Sequence, residues 1–448
     1  MNEAADYIKD TIVAAATPPG KGGVGIVRVS GVDAKQIATK IAGKLPAPRV
    51  ATHATFQDAN QQPIDSGLLI YFPDTGSFTG EPVVELHGHG GPVVMSMLVQ
   101  SAVDLGARRA EPGEFSQRAF LNGKLDLVQA ESIADLIESG TEQAARAAHR
   151  SLSGAFSRQV DALAEKLIRL RLHVEAAIDF PEEEIDFLSD AGLLQQLEDC
   201  ANTFATLHEQ TNAGRVLRDG YQVVIVGQPN AGKSSLLNLL SGEDAAIVTE
   251  YAGTTRDILR EQIDIDGLVV ELIDTAGLRD NPDEIEAEGI RRAREALTKA
   301  DAVLLIKDAT IDDKTDYKLP DNIPVIVLRN KIDVSGDTPG IAHAEPPILN
   351  VSAKTGDGVD ALHATIKKLA GHDSDGVGTF TARKRHIDAL ADASRHFDLG
   401  RQALEKNKAG ELLAEELRLA QESLGTITGA FTSDDLLGRI FAEFCIGK

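Results

Sequence analysis

Apolar and polar residues follow three successive rhythms along the chain. Up to about residue 123, short apolar runs are broken by glycine and proline turns, as in TPPGKGGVGIVRVSG and ELHGHGGPVV. This predicts the strands and turns of an α+β module. From about 124 to 219 glycine thins out and Ala, Leu, Glu and Arg take over. There Leu152, Phe156, Val160, Leu163, Leu167 and Leu170 recur at helical spacing. From Tyr221 the runs YQVVIVG, GLVVELID, DAVLLIKD, IPVIVLRN and PPILNVSA alternate with helical stretches. That is the rhythm of a doubly wound parallel sheet, which binds ligands at the carboxyl ends of its strands. From Gly371 the segment GHDSDGVG reads as a linker, and 381–446 as a second helical tract with Thr381 as its candidate N-cap. The expected fold is multidomain α/β plus α. It has an N-terminal α+β domain (1–123), a helical domain in two pieces (124–219 and 372–448), and a doubly wound domain inserted between them (220–371).

Composition narrows this little. Among 448 residues, 42% are hydrophobic and 25% charged, which is ordinary for globular domains, and the length fits about three of them. Charge is more informative. With 45 basic and 69 acidic residues the net charge is −24, which argues against holding nucleic acid by bulk electrostatics while leaving room for a local basic groove. Cys200 and Cys445 are too few for a disulfide framework or a zinc site. The opening MNEAADYIKD has no signal pattern, and no apolar run nears the roughly 20 residues of a membrane span. A cytoplasmic chain with no membrane segment is expected.

Four short strings follow four of the predicted strands. Gly227–Ser234 reads GQPNAGKS between a strand and an apolar helix, the context in which G-x-x-x-x-G-K-[ST] cradles phosphates. The backbone of Asn230, Ala231 and Gly232 would meet phosphate oxygens, helped by the helix N-terminus that Ser235 continues. Lys233 would reach the outer phosphates and the Ser234 hydroxyl would bind Mg²⁺. Asp274-Thr275-Ala276-Gly277 ends the next run; its carboxylate can hold magnesium through water and the Gly277 amide can meet a γ-phosphate. Asn330-Lys331-Ile332-Asp333 ends another, and Asp333 can accept two hydrogen bonds from the guanine edge, a pair adenine does not offer. Ser352-Ala353-Lys354 can close over the base. Each string alone is weak; four in this order predict a GTP-binding domain.

With AGTTRD added, GQPNAGKSSLLN resembles the TrmE family of tRNA-modification GTPases. So do TPPGKGGVGIVRVSG, EPGEFSQRAFLNGKLDL and the final FCIGK, so that the resemblance spans the chain. It implies GTP hydrolysis coupled to a carboxymethylaminomethyl-type modification at carbon five of the wobble uridine of certain tRNAs. It also implies a homodimer and a flavin-containing partner, MnmG, in a heterotetramer-type complex. Leu278 stands where many GTPases carry a water-orienting Gln, and Arg256 and Arg279 are arginine-finger candidates that also read as solvated loop charges. The resemblance implies instead that K⁺ supplies the charge, held by Asn230 and by Thr249, Tyr251 and Thr254 in the segment Thr249-Glu250-Tyr251-Ala252-Gly253-Thr254-Thr255. Thr255 would be a second hydroxyl ligand of Mg²⁺ and Glu286 the water-orienting acid.

The first domain resembles a tetrahydrofolate-binding module. The resemblance implies that Arg28, Glu85, Lys124 and Lys448 bind 5-formyl- or 5,10-methylene-tetrahydrofolate, and that Cys445 has a catalytic part; read alone, Cys445 is a buried hydrophobe ending a helix. Its CIGK context fits prenylation poorly. His87 and His89 look like a metal pair but lack a third ligand. The cluster Arg383-Lys384-Arg385-His386 is a candidate phosphate contact or a solvated helix start. Two other readings stand: a GTPase switch in ribosome assembly, and a folate enzyme regulated by GTP.

Overall fold

Alternation along two neighbouring strands organises the first part of the chain. In the computed structural model, which describes residues 10–179, 191–243, 260–274, 296–312, 317, 319–320, 323–343, 345–371, 380–431, 434–442 and 444–447, the strands are β1 (Ile12–Ala15), β2 (Gly22–Ser30), β3 (Thr52–Gln57), β4 (Pro63–Phe72), β5 (Val83–Gly90) and β6 (Arg108–Arg109). They form one sheet in the order β3-β4-β5-β2-β1-β6, antiparallel except for β1 with β6. Val27, Val29, Val84 and Leu86 face the helices Ala34–Ala42 and Pro92–Asp104, meeting Ile37, Ile41, Leu98 and Ala102. The strand period of two turns Arg28 and Glu85, register partners, to the other face.

Beneath that sheet a buried ion network ties three segments together. Arg118, 3% exposed, donates to Asp10 Oδ1 at 2.5 Å, Glu81 Oε2 at 3.2 Å and Glu114 Oε1 at 2.8 Å. Arg108 forks onto the same Glu114 at 2.7 and 3.0 Å. Burial pushes the Glu114 carboxyl up, but hydrogen bonds from Arg108, the Glu111 amide and Arg118 outweigh it and hold it below the usual range.

The far end of the chain completes this unit, which comprises Met1–Ala134, Val160–Ile168 and Arg418–Lys448. Leu437, Ile440 and Phe441 of the helix Asp434–Ala442, with Phe444, pack on Leu127, Ala130 and Ala134. Ile446 then bridges Pro112, and the Gly113 amide donates to the Cys445 carbonyl at 3.4 Å. Gly447 has φ +98°, and a Cβ there would stand 2.2 Å from the Ala15 carbonyl oxygen. Glycine is the one residue that fits.

The second unit, Asp135–Gln159 and Arg169–Leu417, holds β7 (Tyr221–Gly227), β8 (Arg260–Ile265), β9 (Leu268–Asp274), β10 (Ala302–Asp308), β11 (Val325–Asn330), β12 (Gly340–His343) and β13 (Ile348–Asn350). Their order is β12-β13-β11-β10-β7-β9-β8, with parallel inner pairs and antiparallel edges. Ile225, Leu272 and Leu304 join the core that includes Leu236 and Leu240 of helix Lys233–Glu243 and Leu362 and Ile366 of helix Val359–Leu369; Val224 and Ile273 pack on Ala296. This is the doubly wound sheet expected from the five apolar runs.

The helical spacing from Leu152 to Leu170 breaks once, at Ser153–Gly154, where Gly154 has φ +78°. Helices Glu142–Leu152 and Ala155–Asp179 result. Phe156 stacks on Phe380 at 4.3 Å, and Phe204 of helix Ala191–Asp219 meets Phe397 of helix Lys384–Asn407 at 5.3 Å. Thr381 is not an N-cap. It is buried, its amide donating to Ser151 Oγ at 2.9 Å, and Arg383 occupies the cap position. Two members of the basic cluster, Arg383 and His386, are likewise turned inward, while Lys384 is exposed. Arg383 donates to Asp135 Oδ1 at 2.7 Å, an atom that also accepts from Arg218 at 2.8 Å, and His386 Nδ1 accepts the Arg383 amide at 3.0 Å. A buried carboxylate brings the guanidinium in, so Arg383 and His386 are not free to meet a phosphate.

Candidate functional site

At its carboxyl end β7 runs close beside β10, its parallel neighbour. A Cβ at Gly227 would lie 2.4 Å from the Ile306 carbonyl oxygen, so a side chain has no room there. Asn230 at φ +65° and Gly232 at φ +95° turn the loop into helix Lys233–Glu243, whose Leu236, Leu237 and Leu240 anchor it in the core. The Leu236 amide bonds the Gly232 carbonyl at 2.9 Å, so the helix is hydrogen-bonded from its first turn. Lys233 is buried, with its ammonium on the carbonyls of Gly227 and Gln228, both at 2.8 Å. Ser234, Ser235 and Asn230 are exposed at the mouth of the loop. A helix start, one buried ammonium and an exposed serine together offer the chemistry of an anion site with a place for a hard cation.

Asn330 joins this loop to the next. Buried at the end of β11, it donates Nδ2 to the Ala231 carbonyl at 2.9 Å and accepts the Ala353 amide on Oδ1 at 2.9 Å. Both halves of one amide are therefore used, each on a different loop. Ser352 Oγ donates to Asp333 Oδ1 at 2.9 Å and accepts the Thr355 amide at 3.2 Å. Asp333 is exposed with one oxygen oriented by that serine, and Lys354 is exposed beside it. Lys331 sits at φ +70° with its ammonium 2.6 Å from Asp308 Oδ2. Burial disfavours the Asp308 carboxylate, but bonds from Lys331 and from Thr310 hold its pKa below the usual range.

The structure thus brings together Asn230, Ala231, Gly232, Lys233, Ser234, Ser235, Asn330, Lys331, Asp333, Ser352, Ala353 and Lys354 at the ends of β7, β11 and β13. Asp274 ends β9, where it is the register partner of Ile225 in β7. Thr249, Glu250, Tyr251, Ala252, Gly253, Thr254, Thr255, Thr275, Ala276, Gly277 and Glu286 lie outside the described residues, as do Arg256, Leu278 and Arg279. The sequence analysis did not single out Asp308, although the Lys-Asp pair closing the apolar strand β10 marks it.

On the first sheet's other face, Arg28 Nε donates to Glu85 Oε1 at 3.0 Å, and His87 Nε2 lies 3.1 Å from Glu85 Oε2. The guanidinium stands 5.8 Å from the Phe78 ring centroid and 5.7 Å from that of Phe115. Lys124 donates to the Thr75 carbonyl at 3.2 Å, and Lys448 lies outside the described residues. His89 does not join His87 in a metal site; its Nδ1 is 2.8 Å from Asp65 Oδ1. Cys445 is exposed, so it is not the buried hydrophobe that the helix-end reading offered; Phe444 is buried instead. A separate cavity of about 740 Å³ opens between the Thr17–Gly22 turn, Met95, Val99, Arg109 and Ile446, and neither Arg28 nor Glu85 lines it.

Two family descriptions match: "GTP-binding protein TrmE N-terminus" over residues 11–124 and "MnmE helical domain" over residues 127–445. The tRNA modification GTPase MnmE of Vibrio cholerae serotype O1 is 53% identical over 450 residues, covering 98% of this chain and 99% of its own. Among solved structures, the G domain of the T. maritima FeoB iron transporter is 25% identical over 34% of this chain and 98% of its own, with a TM-score of 0.24. The FeoB G domain of Methanococcus jannaschii is 24% identical over the same shares, with a TM-score of 0.26.

Proposed function

We propose a working cycle for this chain, which belongs to the MnmE family of tRNA modification GTPases. It is a GTP hydrolase, and its place is in tRNA modification. The observation that carries the residue assignments is the double bond of Asn330, which makes the phosphate loop and the Ser352 loop one preformed unit. GTP lies with its phosphates on Asn230–Ser235 and its guanine edge on Asp333, whose carboxylate Ser352 already orients. Lys233 exchanges the loop carbonyls for phosphate oxygens, which costs little because its ammonium is already at the site.

Magnesium, when bound, supplies charge neutralisation between the outer phosphates; the exposed Ser234 hydroxyl fits it, with Thr255 and Asp274 as the other holders. Potassium, when bound, would supply positive charge where negative charge develops in hydrolysis; Asn230, exposed on the loop, would fit it through its amide oxygen, with Thr249, Tyr251 and Thr254. Glu286 orients the attacking water in place of the missing glutamine at Leu278.

The first unit serves the second substrate. Arg28, held between two aromatic rings, fixes Glu85, whose oxygens keep lone pairs for a pterin edge. Lys124 and Lys448 take the carboxylates of the folate tail, and the exposed Cys445 stands close to the one-carbon chemistry. A tetrahydrofolate, 5-formyl or 5,10-methylene, supplies the one-carbon unit for a carboxymethylaminomethyl-type group on carbon five of the wobble uridine. The protein acts as a homodimer through residues 1–123, with the flavin-containing MnmG in a heterotetramer-type complex in the cytoplasm. The divisions 1–123, 124–219 with 372–448, and 220–371 are our domain reading.

GTP turnover by the full chain, compared in potassium and sodium at equal ionic strength, tests the cycle. We expect at least tenfold faster hydrolysis in potassium, and loss of that stimulation in Asn230→Ala with GTP binding largely kept. Equal rates in the two salts would remove the cation and make Arg256 and Arg279 the groups to test. Nucleoside analysis of bulk tRNA from cells lacking the protein separates the outcomes: an unchanged wobble uridine would favour a ribosome-assembly switch.

A further inference from the structure

Strand β10 lies between β7, which feeds the phosphate loop, and β11, which feeds the Asn330–Asp333 loop. Its end is level with both, because Ile306 pairs with Gly227 and Asp308 with Asn330. The Ala309 amide bonds the Asn330 carbonyl at 2.8 Å and carries the ladder one step further. Asp308 is thus built into the floor between the two subsites. Its Oδ1 accepts the Thr310 amide at 2.9 Å and the Thr310 hydroxyl at 2.6 Å, so the carboxylate is aimed before any cation reaches it. Oδ2 takes the Lys331 ammonium at 2.6 Å, with the Asp308 side chain 12% exposed and that of Lys331 35% exposed.

Lys331 has reasons to stray. It is a non-glycine residue in the left-handed region, an unfavourable conformation, and a lysine stem carries much rotamer entropy. It also sits between Asn330, which holds the phosphate loop, and Asp333, which reads the base. We propose that Asp308 is a positioning residue of the nucleotide site: by holding the Lys331 ammonium it fixes the Asn330–Asp333 loop in its binding shape and so sets how long a guanine nucleotide stays. This rests on the reading of Asn330–Asp333 as the base loop. The benefit is pre-organisation, which acts on release more than on association.

Asp308→Asn is the discriminating change. Its amide oxygen must still face the Thr310 N–H, so its NH₂ is left facing the ammonium. The turn survives and the pair does not. Release of GDP carrying a methylanthraniloyl label on its ribose is timed by stopped flow with the full chain, in the native, Asp308→Asn, Lys331→Met and doubly substituted proteins. We expect Asp308→Asn to speed release five- to tenfold in the native background and less than twofold when Lys331 is already Met, since residues acting through one another are not additive. Release within twofold of native in Asp308→Asn overturns the proposal. So does an acceleration of more than twofold in the Lys331→Met background, because the aspartate would then act through its turn. Asp333→Asn, measured alongside, keeps the two readings apart. If it leaves GDP affinity unchanged, the base loop itself is misassigned; if it weakens GDP while Asp308→Asn changes nothing, only the role of Asp308 falls.

Discussion

Gly232 shows how much a single missing Cβ decides. It sits at φ +95°, and a Cβ there would lie 2.1 Å from Asn330 Nδ2. Both facts have one cause: the loop must let the Asn330 amide reach the Ala231 carbonyl. Gly232→Ala therefore strains the backbone and pushes away a buried side chain. Leaving that amide unsatisfied costs about 1–3 kcal/mol. On that basis calorimetry should find GDP binding weakened by roughly ten- to a hundredfold. Native affinity in Gly232→Ala would mean that the Asn330 bridge does not hold the site. The glycine was legible from GQPNAGKS, because the motif itself specifies close backbone approach. The partner it makes room for was not, since Asn330 is about a hundred residues away and no local pattern carries that distance. The Ser352–Asp333 bond was hidden too, because it joins loops that follow two different strands.

Among the elements, legibility followed burial. The runs that became β7, β9, β10, β11 and β13 are continuous apolar stretches because inner parallel strands are covered on both faces. The edge strands β8 and β12 were not read. REQIDI carries four polar residues in six, and GIAH is only four residues long. The cap of helix Lys384–Asn407 was misplaced for a different reason: Thr381 has the right chemistry for an N-cap, but Ser151 claims it, and Asp135 draws in Arg383. Charged elements packed inside carry a testable pH signature. The helix Glu114–Leu121 is held to β1 and β6 through Arg118 and Arg108, and both Glu114 and Asp10 have folded-state pKa values below their ordinary ones. For such groups the unfolded chain binds more protons at acid pH, so stability is full above the unfolded value of about 4 and is lost as pH falls through the folded value. Hydrogen exchange of the β1 and β2 amides should be flat from pH-corrected neutrality to about 5 and accelerate below about 4. Glu114→Gln should be less protected at neutral pH and show a shallower acid loss. Equal acid slopes in the two proteins would exclude Glu114 as the linked group.

At the scale of the whole molecule, the first unit is assembled from both ends of the chain. Leu437, Ile440, Phe441 and Phe444 are each at most 7% exposed, on a cluster whose other half is Leu127, Ala130 and Ala134. Burying four such side chains contributes about 1.5–3 kcal/mol each, or roughly 6–12 kcal/mol as an upper estimate. That rivals the whole stability of an ordinary domain, about 5–15 kcal/mol. The two helical tracts were already joined as one domain in the sequence, but no periodicity near residue 127 says which side chains meet some three hundred residues on, so the contact itself is seen only in the folded chain. Ending the chain after Ser433 should therefore strip hydrogen-exchange protection from helix Leu127–Glu138 and from β1 while GDP binding by the second unit stays. A synthetic peptide of residues 434–448, added in excess, should restore part of the protection. Gly447→Ala makes the milder case. It keeps the apolar anchors and disturbs only the approach to the Ala15 carbonyl, so the helix should stay protected while the amides of β1 and Ile446 exchange faster. If β1 and helix Leu127–Glu138 are as well protected without residues 434–448 as with them, the apolar contact is dispensable, and the N-terminal sheet must draw its stability from its own two helices and the Arg118 network alone.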